Sequence, residues 1–287
     1  MSITLRKIMK RSLYTIEGAA VYCMYTLLLI LPVDTASYIC GLIMRKIGPL
    51  FKANKIAKKN IAMCFPNLTQ ESISQIISDM WDNLGRNIGE LPYSSRLSKS
   101  SFKKRIKCQK GFDTLPSNSI LLSGHYGNFE LIPSIADCVG YKLHLVYRPI
   151  NNPIVDHLML KMRAKRAVNM IPKGVAGVKQ IVDGINANEA LGMLIDQKMN
   201  QGEDLKFFGL NAKTTTLPAK LAIKYNLPVY MIRLERTTGA YFNLRFERVH
   251  YTSDDTANTL MQHINDVLEK WIRNKPSQWF WVHKRWG

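Results

Sequence analysis

The amino-acid sequence predicts an α/β fold, in which a mixed, largely parallel sheet is flanked by helices and preceded by a membrane-associated N-terminal helix. From residue 119 onward, short apolar runs alternate with helical stretches, the pattern of parallel strands joined by helices. One later segment, 241–249, alternates between apolar and polar residues, as a half-exposed strand does. The first 46 residues differ from both patterns, because a basic start precedes two uncharged runs.

The individual elements follow from these patterns. Buried strands are predicted at 120–122, 143–147, 191–195 and 229–234, and an edge strand at 241–249. Helices are predicted at 134–139, 153–167, 175–187, 216–225 and 256–272. An earlier helix starts near Thr69, and its apolar residues recur at helical spacing: Ile73, Ile76, Ile77 and Met80.

The N-terminal segment carries basic residues before residue 12, followed by uncharged runs at 18–33 and 35–44. Neither run reaches the ~20 apolar residues of a comfortable spanning helix. The sequence around Pro32 is not the small-residue cleavage site of a signal peptide. We therefore expect a retained membrane-associated helix, marginal as a span, with a buried core helix as the alternative. The predicted division of the chain is an anchoring segment at 1–46 and a second domain at 47–287.

The composition narrows the classes of partner and chemistry. The 287 residues include 40 Lys+Arg and 21 Asp+Glu, a net charge of +19, which favours an anionic partner such as nucleic acid, an acidic membrane or a phosphorylated small molecule. Five widely spaced cysteines are more consistent with reduced thiols than with a disulfide framework. The His-Glu-x-x-His zinc motif, the phosphate-binding loop and the Gly-x-Ser-x-Gly elbow are absent from the sequence.

His125 and Glu130 are the most informative pair of residues. Their spacing places two side chains about 140° apart on a helix and on opposite faces of a strand. Contact between them requires a bend, which Gly124, Gly127 and Asn128 permit. Such a bend would let the carboxylate hold one imidazole nitrogen while the other faces a substrate hydroxyl, as a general base requires. The alternative is that His125 is an ordinary loop residue.

Other polar residues also follow predicted strands. Ligands collect where the strands of such sheets end, and His125, Arg148 and Asp196 fall at or just beyond those ends. Asp196 follows an uncharged run and is either a helix cap or a site group. Arg163 lies within a predicted helix among other cations, and the alternative is that it is an ordinary surface charge. The sequence alone does not distinguish Arg163 from the neighbouring cations.

Seven segments, taken in order and spacing, resemble the bacterial lipid A late acyltransferases, the lauroyl and myristoyl transferases of the lysophospholipid acyltransferase superfamily. The segments are 60–66, 125–130, 147–153, 196–197, 207–209, 215–219 and 281–286. Each is weak alone, and their combination across residues 47 to 285 is specific. Leu217 departs from the pattern, since relatives often have glycine there.

The resemblance implies a glycerolipid acyltransferase-like fold for residues 47–287 and a catalytic pair formed by His125 and Glu130. It also implies substrate-binding roles for Arg163 and Asp196, to which we add Arg148 from its strand-end position. The reaction would move an acyl chain from acyl carrier protein to a hydroxyl of an anionic lipid A precursor of the Kdo-lipid IV-A type. The carrier-protein thioester is then a co-substrate, and neither a cofactor nor a metal is expected.

The implied location is the bacterial inner membrane, with the catalytic domain on its cytoplasmic face and no nucleic-acid partner. An alternative within the superfamily is acylation of lysophosphatidate or a glycolipid, which would use the same residue pair. More distant alternatives are a non-enzymatic membrane scaffold and a nucleic-acid-binding protein. The latter predicts interleaved aromatic residues on a basic surface. Here aromatics cluster near the C-terminus instead, where core or membrane-interface packing explains them.

Overall fold

The computed structural model describes residues 3–108, 112–163 and 167–286. Its helices are α1 (Ile3–Ile30), α2 (Val33–Ile47), α3 (Lys52–Cys64), α4 (Gln70–Ser94), α5 (Lys99–Arg105), α6 (Ile132–Cys138), α7 (Pro153–Arg163), α8 (Val175–Asn186), α9 (Leu217–Tyr225) and α10 (Ala257–Asn274). Its strands are β1 (Ile106–Cys108), β2 (Ile120–Ser123), β3 (Leu143–Tyr147), β4 (Val168–Pro172), β5 (Ala190–Leu194), β6 (Glu203–Phe207), β7 (Leu210–Thr214), β8 (Val229–Thr238) and β9 (Tyr241–Val249).

The central sheet has seven strands in the order β1-β9-β8-β2-β5-β3-β4. All of its neighbouring strands pair in parallel except β8 and β9, which are antiparallel. The strands β6 and β7 form a separate hairpin. The predicted mixed, largely parallel sheet is therefore confirmed, and the four predicted buried strands are all present.

Helices cover both faces of the sheet, as alternating strands and helices require. On one face, buried side chains of α3, α4, α8, α9 and α10 pack against the sheet, and on the other those of α6 do. All four residues of β2 are buried, which explains why this strand is a continuous apolar run rather than an alternating one.

The prediction that 241–249 is an edge strand is wrong. The segment is a strand, but β1 pairs with its outer side from Ile106 to Cys108. The short β1 follows a basic stretch whose apolar pattern is too brief to signal a strand. The predicted helix 153–167 is present from Pro153 to Arg163 and does not include Ala167, while residues 164–166 lie outside the described part of the chain.

The N-terminal segment forms two helices separated at Pro32, whose ring restricts the backbone and cannot donate a hydrogen bond. Within α1, residues Met9–Ile30 are long and apolar enough to cross a membrane by length and composition. This stretch exceeds the predicted uncharged run because the helix continues through Glu17 towards the N-terminus. The predicted division at residue 46 stays a prediction.

The second helix, α2, is attached to the rest of the molecule through close packing on α4. Ala36 and Ser37 are buried, and the Ser37 hydroxyl donates to the Glu90 carboxylate at 2.7 Å. Gly85 and Gly89 of α4 face the α2 backbone so closely that an added Cβ would collide with the carbonyl oxygens of Cys40 and Ala36. The two helices can approach this closely because both contact positions lack a side chain.

We expect Gly85→Ala to lower the free energy of unfolding by about 1–3 kcal/mol, because the added methyl group forces α2 away from α4. The measurement is thermal or urea unfolding of the purified protein. The matched control is Ser74→Ala on the exposed part of α4, which should change the unfolding free energy by less than about 0.5 kcal/mol. Equal stability of the two variants would contradict the described packing.

Candidate active site

The site lies at the carboxyl ends of β2 and β5, which are neighbours in the sheet. Ser123 pairs with Leu194 in register, and the Ile195 amide donates to the Ser123 carbonyl at 3.0 Å. The residues that follow the two strands, His125 and Asp196, are therefore brought together although they are 71 positions apart. As predicted from the strand ends, both lie at the edge where ligands bind in such sheets.

Asp196 holds His125 through two hydrogen bonds. The Nδ1 atom of the imidazole lies 2.7 Å from Oδ1, and the His125 backbone amide donates to Oδ2 at 2.8 Å. A third bond comes from the Trp279 indole, whose Nε1 donates to Oδ2 at 2.7 Å. Because a buried carboxylate only accepts hydrogen bonds, Nδ1 carries the proton and Nε2 is left as the basic nitrogen.

The electrostatics of this pair favour an ionised Asp196. Its side chain is fully buried, which alone would raise the pKa of the carboxyl, but the charge and hydrogen bonds of His125 outweigh burial and lower the pKa. For His125, burial would lower the pKa, whereas the charge and hydrogen bond of Asp196, with the charge of Glu130, raise it. The arrangement therefore strengthens His125 as a proton acceptor and stabilises its protonated form.

The structure places Glu130 differently from the predicted hydrogen bond to the imidazole. Its carboxylate binds Arg163, which donates from Nε to Oε2 at 2.8 Å and from Nη2 to Oε1 at 2.5 Å. The physical reason is that Asp196, on the neighbouring strand, already occupies Nδ1 of His125. Phe129 lies against the imidazole instead, with ring centroids 4.7 Å apart. The catalytic role of Glu130 stays a prediction, and any such role would act through its contact with Arg163.

Arg163 is thus drawn into the site rather than left as a surface cation. Its side chain is only 22% exposed. Burial would lower the pKa of the guanidinium, but the charge and hydrogen bonds of Glu130 outweigh this and raise it. The charge of Arg163 in turn acts to lower the pKa of His125, so the two groups are electrostatically coupled. Arg148 follows β3 at the same end of the sheet and is exposed, without a bond to these residues.

The turn between His125 and Glu130 depends on Gly127. This residue has φ +59°, and a Cβ there would collide with the Leu234 carbonyl oxygen. Its amide donates to the Gln278 carbonyl at 2.8 Å, and the next amide, of Asn128, donates to the Leu234 carbonyl at 3.0 Å. The backbone of the turn is therefore fixed between β8 and the C-terminal segment.

A buried polar network supports the same turn, and the sequence interpretation missed it. Glu90 of α4 and Arg236 of β8 form an ion pair, with Nη2 donating to Oε2 at 2.9 Å. Asn128 donates to Glu90 at 2.5 Å, and Asn87 donates to the Gly127 carbonyl at 2.7 Å. One feature of the sequence could have indicated this network: Asn87 and Glu90 are polar residues that lie among the apolar residues buried by α4.

The C-terminal segment completes the site. Phe280 donates its backbone amide to the His125 carbonyl at 3.1 Å. Asn60 of α3 donates to the carbonyls of Trp281 and His283, at 2.8 and 2.7 Å, and so fixes the segment on the body. The aromatic cluster near the C-terminus is core packing, one of the two predicted explanations, since Trp279 and Trp281 are buried. The bond from Trp279 to Asp196 was not foreseen.

A second imidazole lies beside the first. The ring centroid of His283 is 4.9 Å from that of His125. Burial, together with the positive charge that His125 can carry, lowers the pKa of His283 to about 4. Near neutral pH His283 is therefore uncharged. A protonated His125 would then not be repelled by a second positively charged imidazole.

The space around His125 is a small hollow of mixed lining: the apolar side chains are Met80, Leu84, Phe129, Trp279 and Phe280, and the polar ones are Asn83, Asn87 and Gln278. Its cavity volume is about 10 Å³, far below the ~300–1,000 Å³ of typical ligand pockets. A long apolar ligand would therefore extend beyond it. Within the described ranges, no cluster of three or more His, Cys, Asp or Glu side chains is arranged to hold a metal ion.

Comparison with known proteins identifies the class to which this fold and site belong. The family model described as bacterial lipid A biosynthesis acyltransferase matches residues 6–287. The chain therefore belongs to the bacterial lipid A biosynthesis acyltransferase family, and the resemblance drawn from its motifs is confirmed.

Individual relatives are similar to this chain at low identity. A lipid A biosynthesis palmitoleoyltransferase of Escherichia coli (strain K12) is 24% identical over 248 residues, covering 82% of this chain and 79% of the relative. A lipid A biosynthesis acyltransferase of Haemophilus influenzae is 25% identical over 79% of this chain and 73% of the relative. A lipid A biosynthesis lauroyltransferase of Escherichia coli (strain K12) is 19% identical over 86% and 83%. Acyltransferase activity in lipid A biosynthesis follows for the family.

We expect Asp196→Asn to lower the turnover number by about 10²-fold or more, because the amide no longer fixes the tautomer or stabilises the imidazolium. The pH profile gives a second readout. If His125 is the base, it must be unprotonated to act, so its raised pKa sets the pH below which activity falls. Losing the charge of Asp196 lowers that pKa, and the acid limb of kcat/KM should move to lower pH. An unmoved limb would show that Asp196 does not act on the titrating group.

We expect Arg163→Lys to be poorly tolerated, because an ammonium group cannot reproduce the two-point contact with Glu130. The matched control is Lys161→Arg, an exposed cation two residues earlier in α7. The turnover number of the first variant should fall well below that of the control. Similar, near-normal values for both variants would make Arg163 a surface charge, as the alternative sequence interpretation holds.

Proposed function

We propose that this protein moves a fatty acyl chain from the thioester of acyl carrier protein to a hydroxyl group of an anionic lipid A precursor. The observation that carries the proposal is the His125–Asp196 pair at the carboxyl end of the sheet, with a buried carboxylate on Nδ1. This is the arrangement of a general base. The family membership supplies the reaction class, and the donor and acceptor are our proposal.

In the proposed reaction, Nε2 of His125 removes the proton of the acceptor hydroxyl as its oxygen attacks the thioester carbonyl. The tetrahedral intermediate then collapses, the carbon–sulfur bond breaks, and the imidazolium returns its proton to the departing thiolate. The products are an ester and a free thiol. Because a thioester is already activated, this route needs no acyl-enzyme, and general-base catalysis contributes about 10²–10⁴-fold.

The Glu130–Arg163 pair has a separate part in this proposal. Glu130 binds Nε and Nη2 of the guanidinium, and among the described residues Nη1 is left without a hydrogen-bond partner. The free end of the group is a donor for an anionic oxygen of the substrate, either a phosphate or the thioester oxygen as charge develops on it. Glu130 thus positions Arg163 and supports the charge of His125 from a distance.

The distribution of positive charge supports anionic partners. In α3, Lys52, Lys55, Lys58 and Lys59 are all exposed, whereas Ala57 and Ile61 on the opposite side are buried. This basic face fits an acidic partner, which is either acyl carrier protein or the phosphates of a lipid precursor. With α1 apolar enough for a bilayer, we place the protein at the inner membrane and its active site on the cytoplasmic face.

The direct test of the mechanism is His125→Ala, which should lower acyl transfer from acyl carrier protein by at least about 10²-fold with the fold intact. The matched control is His250→Ala, an exposed histidine in the turn after β9, which should retain full transfer. Circular dichroism checks folding of both variants. Near-normal turnover of purified His125→Ala protein would remove the general-base mechanism.

The substrate is tested separately, by mass spectrometry of lipid A from cells with and without this protein. Loss of one acyl chain from lipid A, restored by the unchanged protein but not by His125→Ala, is the expected result. The related palmitoleoyltransferase and lauroyltransferase differ in acyl group, so the mass difference also gives the length of the chain that this protein transfers. Identical lipid A in both strains, with altered phospholipids instead, would reassign the acceptor.

A further inference from the structure

One face of α1 is covered by the rest of the protein between Tyr14 and Leu28. Tyr14, Gly18, Val21, Tyr25 and Leu28 are buried or half-buried, at spacings of four, three, four and three residues. Such spacing marks a single helical face. From first to last these residues span about 21 Å, at ~1.5 Å per residue.

The covering elements are the start of α7 and part of α4. Asn152, which is buried, donates from Nδ2 to the Tyr14 carbonyl and to the Glu17 carboxylate, both at 2.9 Å. At Gly18, an added Cβ would lie 2.6 Å from Cγ2 of Ile154. The contact is thus close-packed and hydrogen-bonded, and it lies within the stretch that could cross a membrane.

The opposite face of α1 is apolar and uncovered. Leu13, Ile16, Leu27 and Ile30 are between 62% and 79% exposed, and Ala20 is exposed as well. The apolar surface continues on α2, where Tyr38, Leu42 and Ile43 are also exposed. Exposed cations flank it: Lys10 and Arg11 lie in the early turns of α1, and Lys46 lies in the last turn of α2.

A crossing orientation conflicts with this packing. If α1 crossed the ~30 Å hydrocarbon core of a bilayer, α7 and α4 would enter the core alongside it. Charged groups of α7, including Asp156 and the exposed Lys161, would then be placed at or within the hydrocarbon at a large free-energy cost. A helix parallel to the membrane surface keeps the body in water and places the uncovered apolar face in the lipid.

We propose that α1 lies in the plane of the membrane, with the face of Leu13, Ala20 and Leu27 in the lipid and both helix ends on the side of the body. The occupant of this face is a bilayer containing anionic lipid, because cations flank the apolar surface. The proposal rests on the membrane location proposed above and is independent of the acyl donor and acceptor. If α1 proved to cross the membrane, the proposed reaction would be unaffected. If the protein proved not to transfer acyl chains, the proposed orientation of α1 would be unaffected.

The first experiment uses the full chain in its native membrane. Epitope tags are placed at the N-terminus and at the C-terminus, and protease is added to sealed spheroplasts and to inverted inner-membrane vesicles. An in-plane helix leaves both tags protected in spheroplasts and both digested in inverted vesicles. Tags that digest in opposite preparations would show that α1 crosses the membrane and would overturn the proposal, as would recovery of the full chain in the soluble fraction.

The second experiment measures depth in vesicles of phosphatidylethanolamine and phosphatidylglycerol. In a background with the five native cysteines replaced, single cysteines at Leu13→Cys, Ala20→Cys and Leu27→Cys carry a fluorophore, and brominated lipids quench it. These positions lie seven residues apart on one face. An in-plane helix gives equal depths, whereas a crossing helix places position 20 about 10 Å deeper than the other two, at ~1.5 Å per residue.

The matched control is Val21→Cys, one residue away on the covered face. In-plane packing against the body predicts several-fold weaker quenching at position 21 than at position 20. Equal quenching at both positions would show that lipid surrounds the helix and would overturn the proposal. If the cysteine-free background does not fold, the tag experiment, which keeps all native residues of the chain, decides the question alone.

Discussion

The buried carboxylate of Asp196 is the interaction on which the rest of the site depends. It accepts hydrogen bonds from the backbone and ring of His125 and from the indole of Trp279, so one side chain joins β2, β5 and the C-terminal segment. A buried charge is tolerated only when it is paired and hydrogen-bonded, and here the partner is the proposed catalytic base. Removing any donor would therefore disturb both the local structure and the basicity of His125.

Around this carboxylate, the molecule uses a second buried ion pair for positioning. Glu90 and Arg236 do not touch His125, but through Asn87 and Asn128 they hold the turn that follows it. The two pairs differ in consequence: the Asp196 pair tunes a titrating group, whereas the Glu90 pair fixes a backbone. The fixed turn then directs Glu130 towards Arg163 rather than towards the imidazole.

The sequence was sufficient for the strands and for the edge of the sheet where the site lies, because apolar runs and strand ends are local features. It was not sufficient for the partner of His125. That assignment depends on β5 being the neighbour of β2, a non-local pairing that a run such as Leu191 to Leu194 does not encode. The edge-strand prediction for β9 failed for the same reason, since the three residues of β1 carry no local signal. Trp279 was recognised only as a packing residue because its bond to Asp196 spans 83 positions.

The position of the C-terminal segment has a consequence for synthesis. Translation runs from the N-terminus, so α1 leaves the ribosome before Trp279 and Phe280, which touch Asp196 and His125. If α1 binds lipid as proposed, a growing chain can therefore present this apolar helix to the membrane before His125, the proposed base, is held in place. Under the proposed mechanism, a chain interrupted before Trp279 would lack the hydrogen bond that helps to fix Asp196, and would be a poor catalyst even at the membrane.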